Sequence, residues 1–356
     1  MTKPLIDWVR PEFLDRQGYS ACKSIDSFGG RHVAKLDANE NPYGSCKEAM
    51  EAISKIDTLS IYPDATQAEI RAISAKYCGC DPDQIVCGAG SSQLIDYIIK
   101  LFVDRDGEMI NLVPSFAMYK FFGEVNGINI VNVPRDENFE IDVEALKKAI
   151  TPKTKLVFIA EPNNPTGNVT PLEIIEEVLK LGIPTVSDEA YYEFTGVTAL
   201  PLMKKYDNLM VLRSYSKFAG LAGLRVGFGI FPKEIADRLH AIRDPYNINV
   251  PALAAVKASM ANLDTLLANV KAVCAERDRL LVELAKFSWL KVYPSKSNYI
   301  LCRILNGKAA PQLQKELEEY CILTRCFGGK WLEGCIRFSV GTPEDNDMLL
   351  DALKKV

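Results

Sequence analysis

The chain has 356 residues, of which 48% are hydrophobic and 25% charged, and these fractions are those of an ordinary globular protein. A formal net charge of -4 excludes a basic surface for nucleic acid, and no long uncharged apolar run predicts a membrane-spanning helix. Only two histidines occur, so we predict no metal site and no catalysis built on histidine. The first residues lack the apolar core of a signal peptide, and the ten cysteines are scattered, so we expect a cytoplasmic protein with reduced thiols.

The first part of the chain is irregular and then becomes helical. Prolines and glycines interrupt residues 1–36, which we interpret as an arm, and the turn-rich segment DANENPYG follows at 37–44. Helices are predicted over 46–56 and 66–77. The second helix is expected to begin with a capping box between Thr66 and Glu69.

A glycine-rich turn, GAGSS at 88–92, connects a short predicted strand at 84–87 to an apolar helix at 93–102. The first backbone N–H groups of a helix have no partner within the helix and point towards one place. The turn therefore predicts an anion site.

Strands and helices then alternate as far as residue 230. Strands are predicted over 108–113, 128–133, 155–159, 184–187, 208–214 and 224–230, and helices over 116–126, 143–150 and 171–181. Apolar strands separated by helix-sized segments predict an α/β fold with a mostly parallel central sheet flanked by helices. Ligands bind such sheets beyond the carboxyl ends of the strands, and polar motifs stand there at 161–168, 187–194 and 214–217.

The pattern changes after residue 245, where two long helices are predicted over 251–260 and 263–287. A smaller α+β unit follows, with strands over 290–293, 299–305 and 335–340, a helix over 310–320 and a closing helix. We therefore predict an arm with part of a small domain (1–44), a large domain (45–250), and an interdomain helix with a small C-terminal domain (251–356).

One lysine stands in an unusual setting. In LMVLRSYSKFAGLAGLRVGFGI, at 209–230, Lys217 follows a buried strand and lies between two serines and Arg225. Burial and a neighbouring cation lower the pKa of an amine, and hydroxyls with a guanidinium bind phosphate. This setting suits a lysine that holds pyridoxal phosphate through a Schiff base.

Seven motifs in a consistent order resemble the fold-type-I pyridoxal-phosphate aminotransferases over nearly the whole chain. They are LDANENPYG at 36–44, YPD at 62–64, GAGSSQ at 88–93, EPNNPTGN at 161–168, SDEAYYEF at 187–194, SYSKFAGLAGLRVGF at 214–228 and CIRFSVGTPEDN at 335–346. Their order and spacing together, rather than any single motif, carry the resemblance.

The resemblance implies roles around the cofactor ring. Lys217 forms the Schiff base and later moves a proton at the substrate Cα. Asp188 pairs with the pyridine nitrogen and keeps it protonated, which makes the ring an electron sink. Tyr191 and Asn164 bond the ring oxygen, and Phe116 stacks on the ring.

The resemblance also implies a phosphate site and a dimer. The cofactor phosphate is bound by Gly90, Ser91, Ser92, Ser214, Ser216 and Arg225, with Tyr62 reaching in from a second subunit. Ser92 and Gln93 replace the acidic pair usual in this family. The backbone cradle does not depend on those side chains, so the phosphate site is still expected.

For the substrates, the resemblance implies that Arg337 clamps an α-carboxylate as a bidentate fork. Tyr19 and Arg325 match positions that hold a substrate phosphate. Asn39 and Asn247 approach the other end of the substrate.

The implied reaction is reversible transamination between L-histidinol phosphate and 2-oxoglutarate, in histidine biosynthesis. Histidinol phosphate has no α-carboxylate, so Arg337 must serve glutamate in one half-reaction and another group, such as phosphate, in the other. Three alternatives stay open: an aromatic or broad-range aminotransferase, a threonine-phosphate decarboxylase, and a catalytically idle ligand-binding module.

Overall fold

The computed structural model describes residues 4–16, 18 and 23–356. The helices in these residues are α1 (Pro11–Leu14), α2 (Lys47–Ser54), α3 (Ala68–Cys78), α4 (Ser91–Phe102), α5 (Ala117–Val125), α6 (Val143–Ala149), α7 (Leu172–Leu179), α8 (Lys233–Ile242), α9 (Val250–Ala261), α10 (Leu263–Leu284), α11 (Ala310–Glu319) and α12 (Pro343–Leu353). The strands are β1 (Ala34–Lys35), β2 (Ile85–Gly88), β3 (Glu108–Val113), β4 (Asn129–Pro134), β5 (Thr154–Ala160), β6 (Thr185–Asp188), β7 (Leu209–Ser214), β8 (Gly227–Ile230), β9 (Leu290–Val292), β10 (Tyr299–Ile304), β11 (Ile322–Leu323), β12 (Arg325–Cys326) and β13 (Cys335–Ser339).

A seven-stranded sheet forms the centre of the fold, in the order β2-β8-β7-β6-β5-β3-β4. Strand β8 runs antiparallel to β2 and β7, and the other neighbouring pairs are parallel. The predicted α/β fold with a mostly parallel sheet flanked by helices is confirmed. Parallel neighbours bring the carboxyl ends of β5, β6 and β7 to one edge.

The two faces of this sheet pack against different apolar clusters. In β5, Val157 and Ile159 belong to one cluster, and the alternate residues Phe158 and Ala160 belong to the other. Successive side chains of a strand point to opposite faces, so a strand buried on both sides must be apolar throughout. This explains why the predicted strands have no polar alternation.

The C-terminal residues form a four-stranded antiparallel sheet in the order β12-β13-β10-β9, and β1 pairs with β11 beside it. The long helix α10 buries residues spaced three or four apart, such as Leu266, Val270 and Val273. No helix of residues 4–16 and 23–356 is long and apolar enough to cross a membrane. The domain boundaries stay a prediction.

Two local predictions were wrong, and one helix was not predicted. Helix α3 begins at Ala68 without a capping box, because the carboxylate of Asp64 accepts hydrogen bonds from the N–H groups of Thr66 and Ala68 at 2.8 and 2.9 Å. Helix α8 was not predicted, although its apolar residues recur at helical spacing. Strand β8 begins only at Gly227, since Arg225 has a left-handed φ of 51°.

Candidate active site

A cavity of about 410 Å³ lies where the carboxyl ends of the central strands meet the small antiparallel sheet. Fourteen of the predicted site residues line it: Asn39, Gly90, Ser91, Ser92, Phe116, Asn164, Asp188, Tyr191, Ser214, Ser216, Lys217, Arg225, Arg325 and Arg337. Tyr19 lies outside the described residues. The fold therefore brings motifs from most of the chain to one place, and the roles of these residues stay predictions.

Lys217 follows β7 and projects into the cavity, where its Nζ donates to the backbone oxygen of Ala38 at 2.9 Å. Burial, together with the nearby guanidinium groups of Arg337 and Arg225, lowers the pKa of this amine to about 8 against the opposing effect of Glu40. Among the described residues, no carboxylate forms an ion pair with it. The amine is thus held ready to become neutral near physiological pH.

Asp188 ends β6 and is buried, with 5% of its surface exposed. Its Oδ2 accepts from the hydroxyl of Tyr119 at 2.8 Å, and its Oδ1 accepts from the N–H of Ala190 at 3.3 Å. Burial raises the pKa of Asp188 to about 6, and in the described residues no Lys, Arg or His pairs with it. The cavity therefore presents a buried carboxylate without a cationic partner.

A phosphate-sized cradle lies at the start of α4. Gly90 precedes the helix with a φ of +76°, and a Cβ at this position would lie 2.7 Å from Nη2 of Arg225. The same Nη2 donates to Oγ of Ser92 at 3.3 Å. A Cβ at Gly227 would lie 2.6 Å from the backbone N of Ser91. Glycine is thus required for the guanidinium and the strand to approach the helix N-terminus.

Arg225 and Asn39 both have left-handed backbone, with φ of 51° and 54°. Residues that carry a Cβ rarely adopt this backbone conformation, and the few that do are concentrated at functional sites. The surrounding structure holds Asn39 in this conformation: the hydroxyl of Ser339 accepts from the N–H of Asn39 at 2.9 Å and donates to its Oδ1 at 2.9 Å.

A polar network crosses the floor of the cavity and ends at the hydroxyl of Tyr191. Asn39 Nδ2 donates to this hydroxyl at 2.9 Å, and Asn164 Nδ2 donates to it at 3.5 Å. Asn164 Oδ1 in turn accepts from Nη1 of Arg337 at 2.7 Å. Arg337 also donates to the backbone oxygen of Asp37. The phenol and the guanidinium are therefore fixed relative to each other.

Arg325 and Arg337 are direct cross-strand partners in the antiparallel pair β12–β13. Directly opposed residues project to the same face of a sheet, and both residues line the cavity. Two guanidinium groups thus contribute to the same wall.

Tyr119 is a site residue that the sequence did not reveal. It is fully buried, stacks on Phe158 with ring centroids 4.6 Å apart, and meets Phe116 edge-on at 5.6 Å. Its position one helical turn after Phe116 is the only signal that could have indicated it. Lys23, Lys35 and Asp37 also line the cavity without having been predicted, and Lys35 Nζ donates to Oδ1 of Asp37 at 2.9 Å.

Two predicted residues lie elsewhere. Tyr62 is 76% exposed and stacks on Tyr246 with centroids 4.5 Å apart, so within this chain it does not line the cavity. Asn247 was expected near the substrate, and this was wrong. Its amide bonds Gln67 and Gln93 behind the glycine-rich turn, outside the cavity lining.

These features fit pyridoxal phosphate. The buried carboxylate of Asp188 has room for a cationic partner, which a protonated pyridine nitrogen would supply. The cradle of Gly90, Ser92 and Arg225 offers amides, a hydroxyl and a guanidinium to a phosphate. Lys217 would hold the aldehyde carbon between these two ends.

Comparison with known proteins agrees with this geometry. Residues 31–353 match the family of class I and II aminotransferases, and the chain belongs to this family. The resemblance seen in the sequence motifs is confirmed.

Two relatives that resemble the chain in sequence share one description. A protein of Dehalococcoides mccartyi called histidinol-phosphate aminotransferase is 53% identical over 354 residues, which is 99% of each chain. The chloroplastic histidinol-phosphate aminotransferase of Nicotiana tabacum is 38% identical over 98% of this chain and 86% of its own length.

Two solved structures described as histidinol-phosphate aminotransferases have the same fold as this chain. The histidinol-phosphate aminotransferase of Sinorhizobium meliloti, in complex with pyridoxal-5'-phosphate, has a TM-score of 0.86 at 25% identity and covers 98% of this chain and 96% of its own. The enzyme of that description from Clostridium acetobutylicum has a TM-score of 0.83 at 30% identity, covering 90% of this chain and 98% of its own.

Proposed function

We propose that the chain catalyses reversible transamination between L-histidinol phosphate and 2-oxoglutarate, giving imidazole-acetol phosphate and L-glutamate, with pyridoxal 5'-phosphate bound at Lys217. The observation that carries this proposal is the cross-strand pair Arg325 and Arg337 in the wall of the cavity. Guanidinium groups form charge-assisted hydrogen bonds with carboxylates and phosphates, and here two of them line one wall. The wall therefore suits an anionic substrate.

An arginine pair accounts for both half-reactions. A phosphate dianion spans two guanidinium forks, and glutamate offers a carboxylate at each end, so the same wall accepts either substrate. The missing α-carboxylate of histidinol phosphate is then no obstacle, since Arg337 binds phosphate in one half-reaction and a carboxylate in the other. An aromatic amino acid offers this wall a carboxylate with a single charge, whereas the phosphate of histidinol phosphate carries about two charges at neutral pH, which favours the phosphate-bearing amine.

The relatives support the same substrate. Proteins that are 53% and 38% identical over nearly all of this chain are called histidinol-phosphate aminotransferases. The Sinorhizobium meliloti structure, which superposes on this chain with a TM-score of 0.86, contains pyridoxal-5'-phosphate. We carry both the substrate and the cofactor over to this chain.

Pyridoxal phosphate supplies an aldehyde that exchanges amino groups and a ring that accepts electrons from the substrate Cα. The chain would supply the proton transfer: the amine of Lys217, with its pKa lowered to about 8, would take the proton from the substrate Cα and deliver it to the carbon that was the aldehyde of the cofactor. Its bond to the carbonyl of Ala38 holds the amine at the cavity edge. Lowering the pKa is what makes this amine a usable base.

Other residues orient the reacting groups. Asp188 holds a proton on the ring nitrogen, and the hydroxyl of Tyr119 fixes the orientation of this carboxylate at 2.8 Å. Tyr191, held by Asn39 and Asn164, donates to the ring oxygen. Phe116 lines the cavity and would stack on one face of the ring.

We also propose a cytoplasmic homodimer in which Tyr62 reaches the cavity of the partner subunit. Leu59, Ile61 and Tyr62 are exposed by 71%, 68% and 76%, and an apolar stretch of this kind suits an interface between subunits. Five of the nine described cysteines are buried as free thiols, which suits a reducing compartment.

The test is a set of half-reactions. The purified protein is reconstituted with pyridoxal phosphate, and its absorbance is followed after separate addition of histidinol phosphate, histidinol, glutamate, phenylalanine or phosphothreonine. We expect histidinol phosphate and glutamate to convert the cofactor to its aminated form, and histidinol to react at least tenfold less well because it lacks the phosphate. Release of carbon dioxide from phosphothreonine would select the decarboxylase instead, and equal rates with phenylalanine would select a broad-range enzyme.

A variant separates the arginine wall from general effects of charge. Arg325→Leu is expected to lower kcat/KM for histidinol phosphate by roughly a hundredfold, the cost of losing a charged hydrogen-bonded partner. Arg303→Leu is the matched control, since Arg303 lies in the same small sheet but bonds Tyr293 and Glu333 outside the cavity. Equal losses in the two variants would contradict the proposal.

A further inference from the structure

Behind the glycine-rich turn lies a cluster of three side-chain amides, which we define as the amide cluster: Gln67, Asn247 and Gln93. Asn247 is its centre. Its Nδ2 donates to Oε1 of Gln93 at 2.7 Å and to the backbone oxygen of Cys87 at 3.1 Å, and its Oδ1 accepts from Nε2 of Gln67 at 2.6 Å. Both donors and the acceptor of this amide are therefore in use.

The cluster completes the outer edge of the central sheet. Strand β2 is the edge strand, and beyond it the side chain of Gln67 accepts from the N–H of Cys87 at 3.1 Å and donates to its oxygen at 3.1 Å. A side-chain amide thus takes the place of a neighbouring strand. Gln67 is buried and has a left-handed φ of 58°, and its side-chain amide is held by its hydrogen bonds to Cys87 and Asn247.

The cluster also holds the turn that forms the phosphate cradle. Oε1 of Gln93 accepts from the N–H of Ala89 at 2.8 Å as well as from Asn247. Gln93 therefore folds back from the first turn of α4 onto the residue before Gly90, so its side chain contributes to the turn, contrary to the expectation from the sequence that the cradle does not depend on it. The orientation of the amides at Ser91 and Ser92 depends on this turn, because they follow it directly at the helix start.

We propose that Asn247 is a positioning residue for the phosphate-binding turn, acting through Gln93 on the amides that receive the cofactor phosphate. It joins the loop between α8 and α9 to the turn and lies outside the cavity lining. The inference rests on the proposed function in that it takes pyridoxal phosphate as the ligand. It predicts that the cluster affects binding of the phosphate group and leaves recognition of the pyridine ring unchanged.

Asn247→Asp tests this with almost no change in shape. The new carboxylate faces Oε1 of Gln93 and the oxygen of Cys87, two acceptors that it cannot bond and that repel it. We expect the dissociation constant of the apoprotein for pyridoxal phosphate to rise roughly tenfold, as for loss of one buried hydrogen-bonded contact. The constant for pyridoxal, which has no phosphate, should be unchanged, and inorganic phosphate should compete less well.

Gln93→Ala is the second variant, since it removes the acceptor shared by Asn247 and Ala89 while leaving Asn247 in place. The double variant should bind pyridoxal phosphate no more weakly than the worse single variant, because both substitutions break one network. Asn208→Asp is the matched control: Asn208 also donates to two backbone oxygens, of Leu179 and Ile183, but at the opposite end of the strands. All variants are checked by thermal unfolding so that binding is compared between folded proteins.

The outcomes separate the two proposals. Weaker binding of pyridoxal phosphate alone, in both cluster variants and not in the control, supports the positioning role. Equal weakening of pyridoxal and pyridoxal phosphate, or wild-type affinity in both cluster variants, would overturn it while leaving the proposed function standing. A wild-type protein that binds neither compound would overturn the proposed function and this inference with it.

Discussion

Asp188 and Glu189 are neighbours in the chain and are both buried, yet they lie on opposite sides of the central sheet and have different surroundings. Glu189 is surrounded by donors: Arg213, Thr198 and the N–H of Ala199 all bond it at 2.7 to 2.9 Å. Asp188 faces the cavity and is bonded by Tyr119 and Ala190 without a cation in the described residues.

The cations differ in the same way. Arg213 pairs with Glu189 at 2.8 Å and lies over the ring of Tyr192 at 3.5 Å, so its charge is compensated within the protein. Lys217, on the cavity side, donates to a backbone carbonyl and lies 5.7 Å from the ring centroid of Tyr191, and no carboxylate of the described residues forms an ion pair with it. The far side of the sheet therefore uses charge to hold the fold together, and the cavity side keeps charge available for a ligand.

The largest expected effect on stability follows from breaking the compensated side. Glu189→Gln removes the partner of a buried arginine, and we expect a loss of roughly 3–5 kcal/mol in the free energy of unfolding. Chemical denaturation measures this loss. The kcat/KM of the protein that remains folded should be close to that of wild type, and a large loss of kcat/KM with normal stability would contradict the assignment of Glu189 to structure.

Asp188→Asn is the matching change on the cavity side. The amide keeps the shape but no longer supports a positive charge on the ring nitrogen, so we expect kcat/KM to fall by roughly a hundredfold to a thousandfold. Stability at neutral pH should be equal to or above that of wild type, since a buried charge is removed. An Asp188→Asn variant that is strongly destabilised but active would show that Asp188, like Glu189, serves the stability of the fold rather than the reaction.

The pH dependence of stability sharpens the same comparison. Burial raises the pKa of Asp188 to about 6, so the folded apoprotein binds its proton more tightly than the unfolded chain. The contribution of this proton binding to the free energy of unfolding is fully present below about pH 4 and is lost as the pH rises through about 6. Relative to Asp188→Asn, the wild-type apoprotein should lose about 2 kcal/mol between pH 4 and pH 7.

Denaturation curves of the two apoproteins at several pH values measure this difference. Bound pyridoxal phosphate supplies the missing cation, so it should remove most of the difference in pH dependence between the wild type and Asp188→Asn. Parallel pH profiles for the two apoproteins would show that the carboxylate is already compensated.

The smallest expected effect is a shift in the reactivity of Lys217. With the pKa lowered to about 8, covalent uptake of pyridoxal phosphate by the apoprotein should rise with pH around a midpoint near 8. Arg337→Leu removes a positive neighbour, so the midpoint should move to higher pH. Borohydride trapping over a pH series measures the midpoint, with Arg303→Leu as the control that should leave it unchanged.

Much of the architecture was predictable because it follows from local patterns. Strand β3 was predicted at its observed bounds, 108–113, and helix α9 differs by one residue at each end from the prediction of 251–260. Apolar runs, turn residues and helical periodicity lie within a few positions of each other and are readable without the fold. The motifs at the strand ends pointed to one cavity because parallel strands end on the same edge.

What could not be predicted depends on partners distant in the chain. Tyr119 meets Asp188 across 69 positions, and Arg337 meets Asn164 across 173. Asn247 reaches Gln93 across 154 positions and so lies behind the turn rather than beside the substrate. The sequence contains each of these side chains, but only their packing decides which groups meet.

The chain by itself determined the order of its strands and helices, the ends of the strands on which polar residues collect, and the presence of a lysine suited to an aldehyde. The tertiary structure alone decided which charges are compensated and which face the cavity. The reason is physical: local backbone preferences act over a few residues, whereas the burial and pairing of a charge depend on every element that packs against it.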